Sequence, residues 1–323
     1  MKRIWIMAAV AAGMLSGVVS CGSGQSEISV SGAFALYPLA VKWAEEFQKL
    51  HPEVRIDISA GGAGKGMTDA LSGMVDIGMV SREIYPVEME RGAVAFAVAK
   101  DAVVPAINAE NPDLQNLLKR GLTREVAVKL WITGEYKEWG QVSGSGSHDK
   151  IHVYTRSDAC GAAETWAAWL GKKQENLMGT GVFGDPGVAT AVQKDVLAIG
   201  MNNIGYVYDE TTRKPNPGLK VLPVDVNGDG RLDAEELFYD TKDQLIRAIT
   251  ENQYPSPPAR DLYMVTGGMP KKPEVIAFLR YILTEGQRHN ATVGYIGLSE
   301  EKLQKSLRLL PDDVIAPVSS KPE

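Results

Sequence analysis

Two groups of residues in this 323-residue chain have types and spacings suited to chemistry. The first is the run 225–236. Asp225, Asn227, Asp229 and Asp233 place side-chain oxygens at its first, third, fifth and ninth positions, Gly230 supplies the sharp turn, and Glu236 closes it as a two-oxygen ligand. That is the pattern of a calcium loop, whose seventh ligand is the backbone carbonyl of Arg231. Acidic side chains gathered within a few ångströms repel one another unless a cation joins them, so the run reads as a calcium site rather than a solvated acidic turn. One loop without a paired second hand points to a structural clip and not a sensor. Calcium is the one cofactor expected.

The second group is a set of turns able to receive an anion. Arg156 can hold an oxyanion through two parallel charged hydrogen bonds, and Asp158 can orient that guanidinium or accept a proton from a protonated oxyanion. The glycine-rich stretch 61–66 and the glycine-bearing turns at 31–35 and 160–162 let the backbone approach a ligand closely, and helix starts leave N–H groups unpaired where the helix dipole favours negative charge. Cys160, a thiol at a helix start near an arginine, has the setting of a nucleophile with His152 upstream. No third group stands by to orient such a base, so a small, buried, inert thiol is the expectation. His51, His148 and His289 lack metal-ligand spacing and read as solvated surface.

The elements that must position these residues alternate. Short β-type runs at 27–30, 54–58 and 75–79 are each followed by a turn or helix start. The first turn leads into a helix over 36–50, the second opens a helix over 67–72, and the third leads into Ser81-Arg82-Glu83. Alternation of this kind is the signature of an α/β fold, which takes ligands in the crevice beyond the carboxyl ends of its strands. Around the calcium loop, 219–224 reads as a strand and 234–251 as a helix.

Lys2, Arg3, an apolar stretch over 4–19 and Val18-Val19-Ser20-Cys21 form the pattern of a lipoprotein signal peptide. The expectation is a signal over 1–20, a lipidated Cys21, and a flexible tether over 21–26. The apolar stretch falls short of the roughly 20 residues a spanning helix needs. With Cys21 lipidated, Cys160 has no partner for a disulfide. The chain beyond the tether is too long for one ordinary core and points to two lobes. A net charge of −6 without a basic face argues against nucleic acid.

Together these runs resemble the phosphate-binding proteins of ABC importers. Ser31-Gly32-Ala33-Phe34-Ala35-Leu36-Tyr37-Pro38-Leu39 with Lys42-Trp43-Ala44-Glu45-Glu46-Phe47 looks like that family's opening loop and first helix. Residues 61–66, Asp76-Ile77-Gly78 and Ser81-Arg82-Glu83 come next, at the family's spacing. Ile132-Thr133-Gly134-Glu135-Tyr136-Lys137-Glu138-Trp139 and Arg156-Ser157-Asp158-Ala159-Cys160-Gly161-Ala162-Ala163-Glu164-Thr165-Trp166 match two further landmarks. Ala198-Ile199-Gly200, Ile204-Gly205-Tyr206, Tyr254-Pro255 and Leu262-Tyr263 match later ones.

The resemblance covers nearly the whole chain after the tether. It implies an α/β, two-lobed periplasmic-binding-protein-like fold of type II, with 27–98 plus 262–323 as lobe one and 99–261 as lobe two. It also implies a monomeric, non-enzymatic solute-binding lipoprotein, held to the cell envelope by lipid, facing the periplasm or exterior and docking on an ABC permease. Lobe one would offer Ala33, Phe34, Ala35, Ala63, Gly64, Lys65, Ser81 and Arg82 to the ligand, and lobe two Arg156, Asp158, Cys160, Gly161 and Ala162.

The chain departs from the family where hydroxyls grip phosphate: Ala33-Phe34 stand for Ser-Thr, Ala63 for Ser, and Cys160-Gly161-Ala162-Ala163 for Ser-Gly-Thr-Arg. Each lost hydrogen bond to a charged group is worth about 1.5–3 kcal/mol, so several together weaken binding by orders of magnitude unless replaced. Three outcomes stay open: phosphate held by backbone and by cations such as Lys65 or Arg82, a different anion or larger organic ligand, or a degenerate binder with a sensing or scaffolding role.

Overall fold

A computed structural model describes residues 25–311; the expected signal peptide and Cys21 lie outside the described residues. The strands are β1 (Ser26–Gly32), β2 (Val54–Ala60), β3 (Ile77–Val80), β4 (Ala93–Asn108), β5 (Leu122–Thr123), β6 (His152–Arg156), β7 (Thr180–Val182), β8 (Ala198–Asn203), β9 (Leu219–Val221), β10 (Val224–Asp225) and β11 (Ala259–Gly267). One sheet runs β2-β1-β3-β11-β4-β8-β6-β7, with β9 also on β4, while β5 and β10 pair apart from it. β1 lies parallel between β2 and β3. Helices cover both faces of such parallel strands, which explains why β3 and β8 are buried at every residue.

β4 ties the halves together. Its first part, from Ala93 to Ala102, pairs with β11, and from Val103 onward it pairs with β8 and β9. The buried apolar residues divide accordingly. One cluster draws on 28–99 and 262–310 and the other on 102–259 plus Ile296. The result is a two-lobed α/β molecule whose lobes share the strands β4 and β11.

Helices form where apolar spacing gives them a face to bury. In Tyr37–Leu50 the residues Leu39, Ala40, Trp43, Ala44 and Phe47 fall at helical spacing, and all are buried. Pro38 sits in its first turn, where no N–H is needed.

Three expectations of detail are corrected. The second helix spans Ala63–Ser72 and not 67–72, so Ala63, Gly64 and Lys65 form its first turn rather than a loop. The strand expected over 219–224 breaks at Leu222-Pro223, because proline offers no N–H to a ladder, and its parts pair with different partners, β9 with β4 and β10 with β5. The helix expected over 234–251 is a 3₁₀ turn at Ala234–Glu236 and a separate helix at Lys242–Thr250. Between them Phe238 and Tyr239 are drawn into the core, and Thr241 caps the new helix by accepting the Gln244 N–H.

Candidate functional site

Three chain segments meet beyond the end of β1. Gly32 adopts φ +133° and sits so close that a Cβ there would fall 2.8 Å from Gly66 Cα and run into the Met79 carbonyl. Only glycine permits this, and the packing gathers the turn after β1, the start of Ala63–Ser72 and the end of β3 at one place. In the other lobe β6 delivers Arg156 to its carboxyl end, and 157–160 lead into the helix Gly161–Trp169.

The two sets of turns face each other in contact. Gly64 N–H donates to Ala159 O at 3.1 Å. A Cβ at Gly62 would lie 2.9 Å from Asp158 Oδ2, and one at Gly161 would overlap Ser81 O and Oγ. Tyr206 OH donates to Phe34 O at 3.0 Å, and Tyr85 OH to Glu164 Oε1 at 2.7 Å. The lobes are closed on one another.

Arg156 lies at the centre, its side chain 1% exposed. Nε donates to Asp158 Oδ1 at 2.8 Å, Nη2 to Asp158 Oδ2 at 2.5 Å, and Nη1 to Asp185 Oδ2 at 2.6 Å. Burial works against the charge, but the Asp185 and Asp158 carboxylates outweigh it and hold the guanidinium above its ordinary value. Three of its five N–H groups are committed, leaving one on each Nη. The Phe34 ring lies 5.6 Å from the guanidinium carbon and meets Phe183 edge-on at 5.9 Å. The N–H groups of Phe34 and Gly161, at the first positions of their helices, have no acceptor among the described residues. An anion among these groups would meet a fixed cation and oriented backbone donors.

The other expected residues separate into those at this junction and those turned elsewhere. Ala33, Ala35, Ala63, Ser81 and Ala162 are buried beside it. Lys65, expected to add charge, is bound to Asp69, which also accepts Ser31 Oγ at 2.7 Å. Arg82 makes a double pair with Glu88 at 2.9 and 2.7 Å and stacks over Tyr85 at 4.3 Å. The cations expected to replace missing hydroxyls are thus spent on carboxylates of their own lobe. Cys160 is buried, its sulfur accepts the Ala163 N–H at 3.4 Å, and burial pushes the thiol up to about 12. His152 bonds Asp195 at 2.7 Å, so no Cys-His pair forms.

Sequence reasoning missed Asp185 and what lies behind it. Asn203 Nδ2 donates to Asp185 Oδ1 at 2.5 Å, and Asn203 Oδ1 accepts from Arg260. Arg260 in turn holds Asp101 through Nε at 2.9 Å and Thr165 through Nη1 at 3.2 Å. A continuous buried polar chain therefore joins Arg156 to the shared strands. Its only trace in the sequence is Asp101 inside the apolar run of β4.

In the loop 225–236 the acidic oxygens bind the loop's own backbone. Asp225 accepts Gly228 and Gly230 N–H at 2.6 and 2.8 Å, Asn227 Oδ1 accepts Asp229 N–H at 2.9 Å, and Glu236 accepts Val226 and Asp233 N–H at 2.7 and 3.1 Å. Arg231 leans on Asp229 at 3.2 Å and faces Asp233 at 3.9 Å. An all-oxygen donor set suits a hard cation. Even so, among the described residues no three acidic, histidine or cysteine side chains are drawn close enough to hold a metal as they stand.

Residues 19–286 match the family described as a PBP superfamily domain. The phosphate-binding protein PstS of Methanocaldococcus jannaschii is 25% identical over 80% of this chain and 79% of its own. Protein SphX of Synechococcus elongatus is 25% identical over 90% of this chain and 83% of its own. Among solved structures, an ABC-type phosphate transport receptor from Vibrio cholerae superposes with a TM-score of 0.60 at 22% identity, covering 84% of this chain and all of that one.

Proposed function

Because the chain belongs to the PBP superfamily, among the phosphate-binding proteins of ABC importers, we propose that it captures inorganic phosphate or a closely related tetrahedral oxyanion between its lobes. Hinge bending would bury the guest and present a closed face to an ABC permease. The observation that carries this is Arg156: buried, fixed by two carboxylates, and left with one N–H on each Nη at a junction built by both lobes. With two carboxylates against one guanidinium, the site favours an anion that brings a proton to share over a fully ionised one such as sulfate. Phe34 over the guanidinium favours a second reading, an organic phosphate or other anion with an apolar portion. Calorimetry of the soluble chain against phosphate, arsenate, sulfate, molybdate and phosphorylated organics separates them. Binding of phosphate and arsenate without sulfate is expected; heat from organic anions alone would replace the first reading by the second, and no heat at all would remove both.

The proposal includes two attachments. Calcium in the loop 225–236 steadies lobe two and takes no part in solute capture, so chelation lowers the melting temperature; an unchanged melting temperature removes the site. Lipid on Cys21 anchors the chain to the cell envelope, which labelled fatty acid incorporation, lost in Cys21→Ser, would test.

A further inference from the structure

The end of lobe one opposite the anion junction is the edge at which the chain enters the sheet. β1, β2 and β3 run parallel and start there, β11 runs against β3 and ends there, and β4 runs against β11 and starts there. Every connection beside the entry of β1 carries an exposed apolar side chain: Leu50 before β2, Met74 before β3, Met269 after β11 and Met89 before β4, each between 47% and 76% exposed. Polar contacts join these connections into one surface. Gln25 Nε2 donates to Pro52 O at 3.3 Å, two residues after Leu50, and Asp76 N–H donates to Ser29 O at 3.0 Å, two residues after Met74. Lys272 pairs with Asp76 at 2.8 Å, and Gly268 N–H donates to Gly92 O at 2.7 Å. Gly73, Val75, Met269 and Lys271 line one groove of about 280 Å³ between them.

The charges around this row are matched. Lys49 is paired with Glu46, Arg55 with Asp57 and Lys272 with Asp76, while Lys271 and Arg91 stand against Glu53, Glu90 and Glu274. The edge has no strong sign, so apolar contact decides what it meets. Where the chain continues says what that is. Only four peptide steps separate Gln25, already hydrogen-bonded to the lobe, from Cys21, a reach of about 14 Å at most. Lipid on Cys21 would hold that residue at the bilayer surface and bring this edge within the same reach of lipid.

We infer that the row Leu50, Met74, Met269 and Met89 is a docking edge for the lipid bilayer, an inference that rests on the lipidated Cys21 proposed above. Methionine suits such a contact because its side chain is apolar and adapts its shape. Four half-exposed side chains would hold a free protein poorly on lipid, but the tether makes the contact intramolecular, and a weak one then suffices. β1 runs from this edge to Gly32 at the anion junction, so docking stands the junction one strand length, roughly 20 Å, off the lipid.

The test uses the full lipidated chain in vesicles of phosphatidylcholine and phosphatidylglycerol, with doxyl-labelled lipid as the quencher. Cys160 is buried, so a fluorophore goes to one introduced cysteine: Met74→Cys or Met269→Cys at the edge, or Val196→Cys just before β8, whose Ile199 pairs with Ile107 near the other end of β4. Quenching at 74 and at 269 is expected to exceed that at 196 at least about threefold. Leu50→Ser combined with Met89→Ser, both at exposed positions, is expected to cut quenching at 74 at least about twofold with the melting temperature unchanged. Equal quenching at all three positions, or quenching at 74 untouched by the double substitution, overturns the docking edge and leaves the anchor standing, since an edge merely hanging near lipid behaves in that way. A label that responds to protein concentration and not to doxyl lipid overturns it too, making the row a contact between copies of this chain. Failure of Cys21 to take up fatty acid removes the anchor and the edge together.

Discussion

Arg156 answers to two carboxylates at once, and that makes its removal costly in a way an exposed arginine's would not be. Arg156→Met leaves Asp158 and Asp185 buried without a counter-charge, which costs about 3–5 kcal/mol. Urea unfolding should shift to a clearly lower midpoint, and phosphate titration should give no heat. Arg156→Lys keeps the charge but cannot serve both carboxylates, so it should fall between the two; a midpoint equal to the unsubstituted chain's in either variant defeats the argument. Cys160 makes the opposite case. Since burial pushes its thiol up to about 12, the thiolate is scarce at every pH where the fold survives, and alkylation of the native chain between pH 7 and pH 9 should be negligible until denaturant is added. Rapid labelling near neutral pH would mean an exposed, acidified thiol. At this scale the sequence was partly legible. Arg156 and Asp158 stand two positions apart in a recognisable run, but Asp185 lies 29 residues from the arginine it holds and no spacing announces it.

Among the elements, the turns read well and the joints between them less so. The helix Tyr37–Leu50 and the strands β1, β2 and β3 are legible from apolar spacing, since each buries one regular face or both. The break after the calcium loop was not, because what ends the expected helix is the burial of Phe238 and Tyr239 against Tyr254, a tertiary contact that overrides local preference. Glycine at a helix start has a testable role here. Gly161 packs its Cα on Ser81 across the lobe junction, so Gly161→Ala puts a methyl where the Ser81 oxygens are. Its backbone lies at the start of a helix, where alanine is well tolerated, so the lobes themselves should fold normally. Thermal unfolding should stay within a few degrees of the unsubstituted chain, while phosphate affinity falls at least about tenfold because the closed arrangement is denied. Unchanged affinity would show that closure does not bring Gly161 and Ser81 into contact.

For the whole molecule the question is what holds two lobes together when their cores are separate. The apolar clusters divide across β4 and β11, so little core spans the junction, and beyond the edge-on meeting of Phe34 with Phe183 closure rests on polar contacts between lobes. Two of these come from tyrosines: Tyr206 OH to Phe34 O and Tyr85 OH to Glu164. Neither hydroxyl supports a lobe's own core, so removing one should move the balance between open and closed without unfolding either lobe. A hydrogen bond contributes about 0.5–1.5 kcal/mol net. Tyr206→Phe and Tyr85→Phe should therefore each weaken phosphate binding by about two- to tenfold, the double variant by nearly the product, since the sites lie apart and share no partner. Small-angle scattering should show the ligand-free variants more extended than the unsubstituted chain and alike once phosphate is saturating. If instead the variants melt early and bind phosphate normally, the two hydroxyls belong to the stability of the lobes, and closure must be carried by the Gly64 N–H to Ala159 O contact and the packing of Gly161 on Ser81.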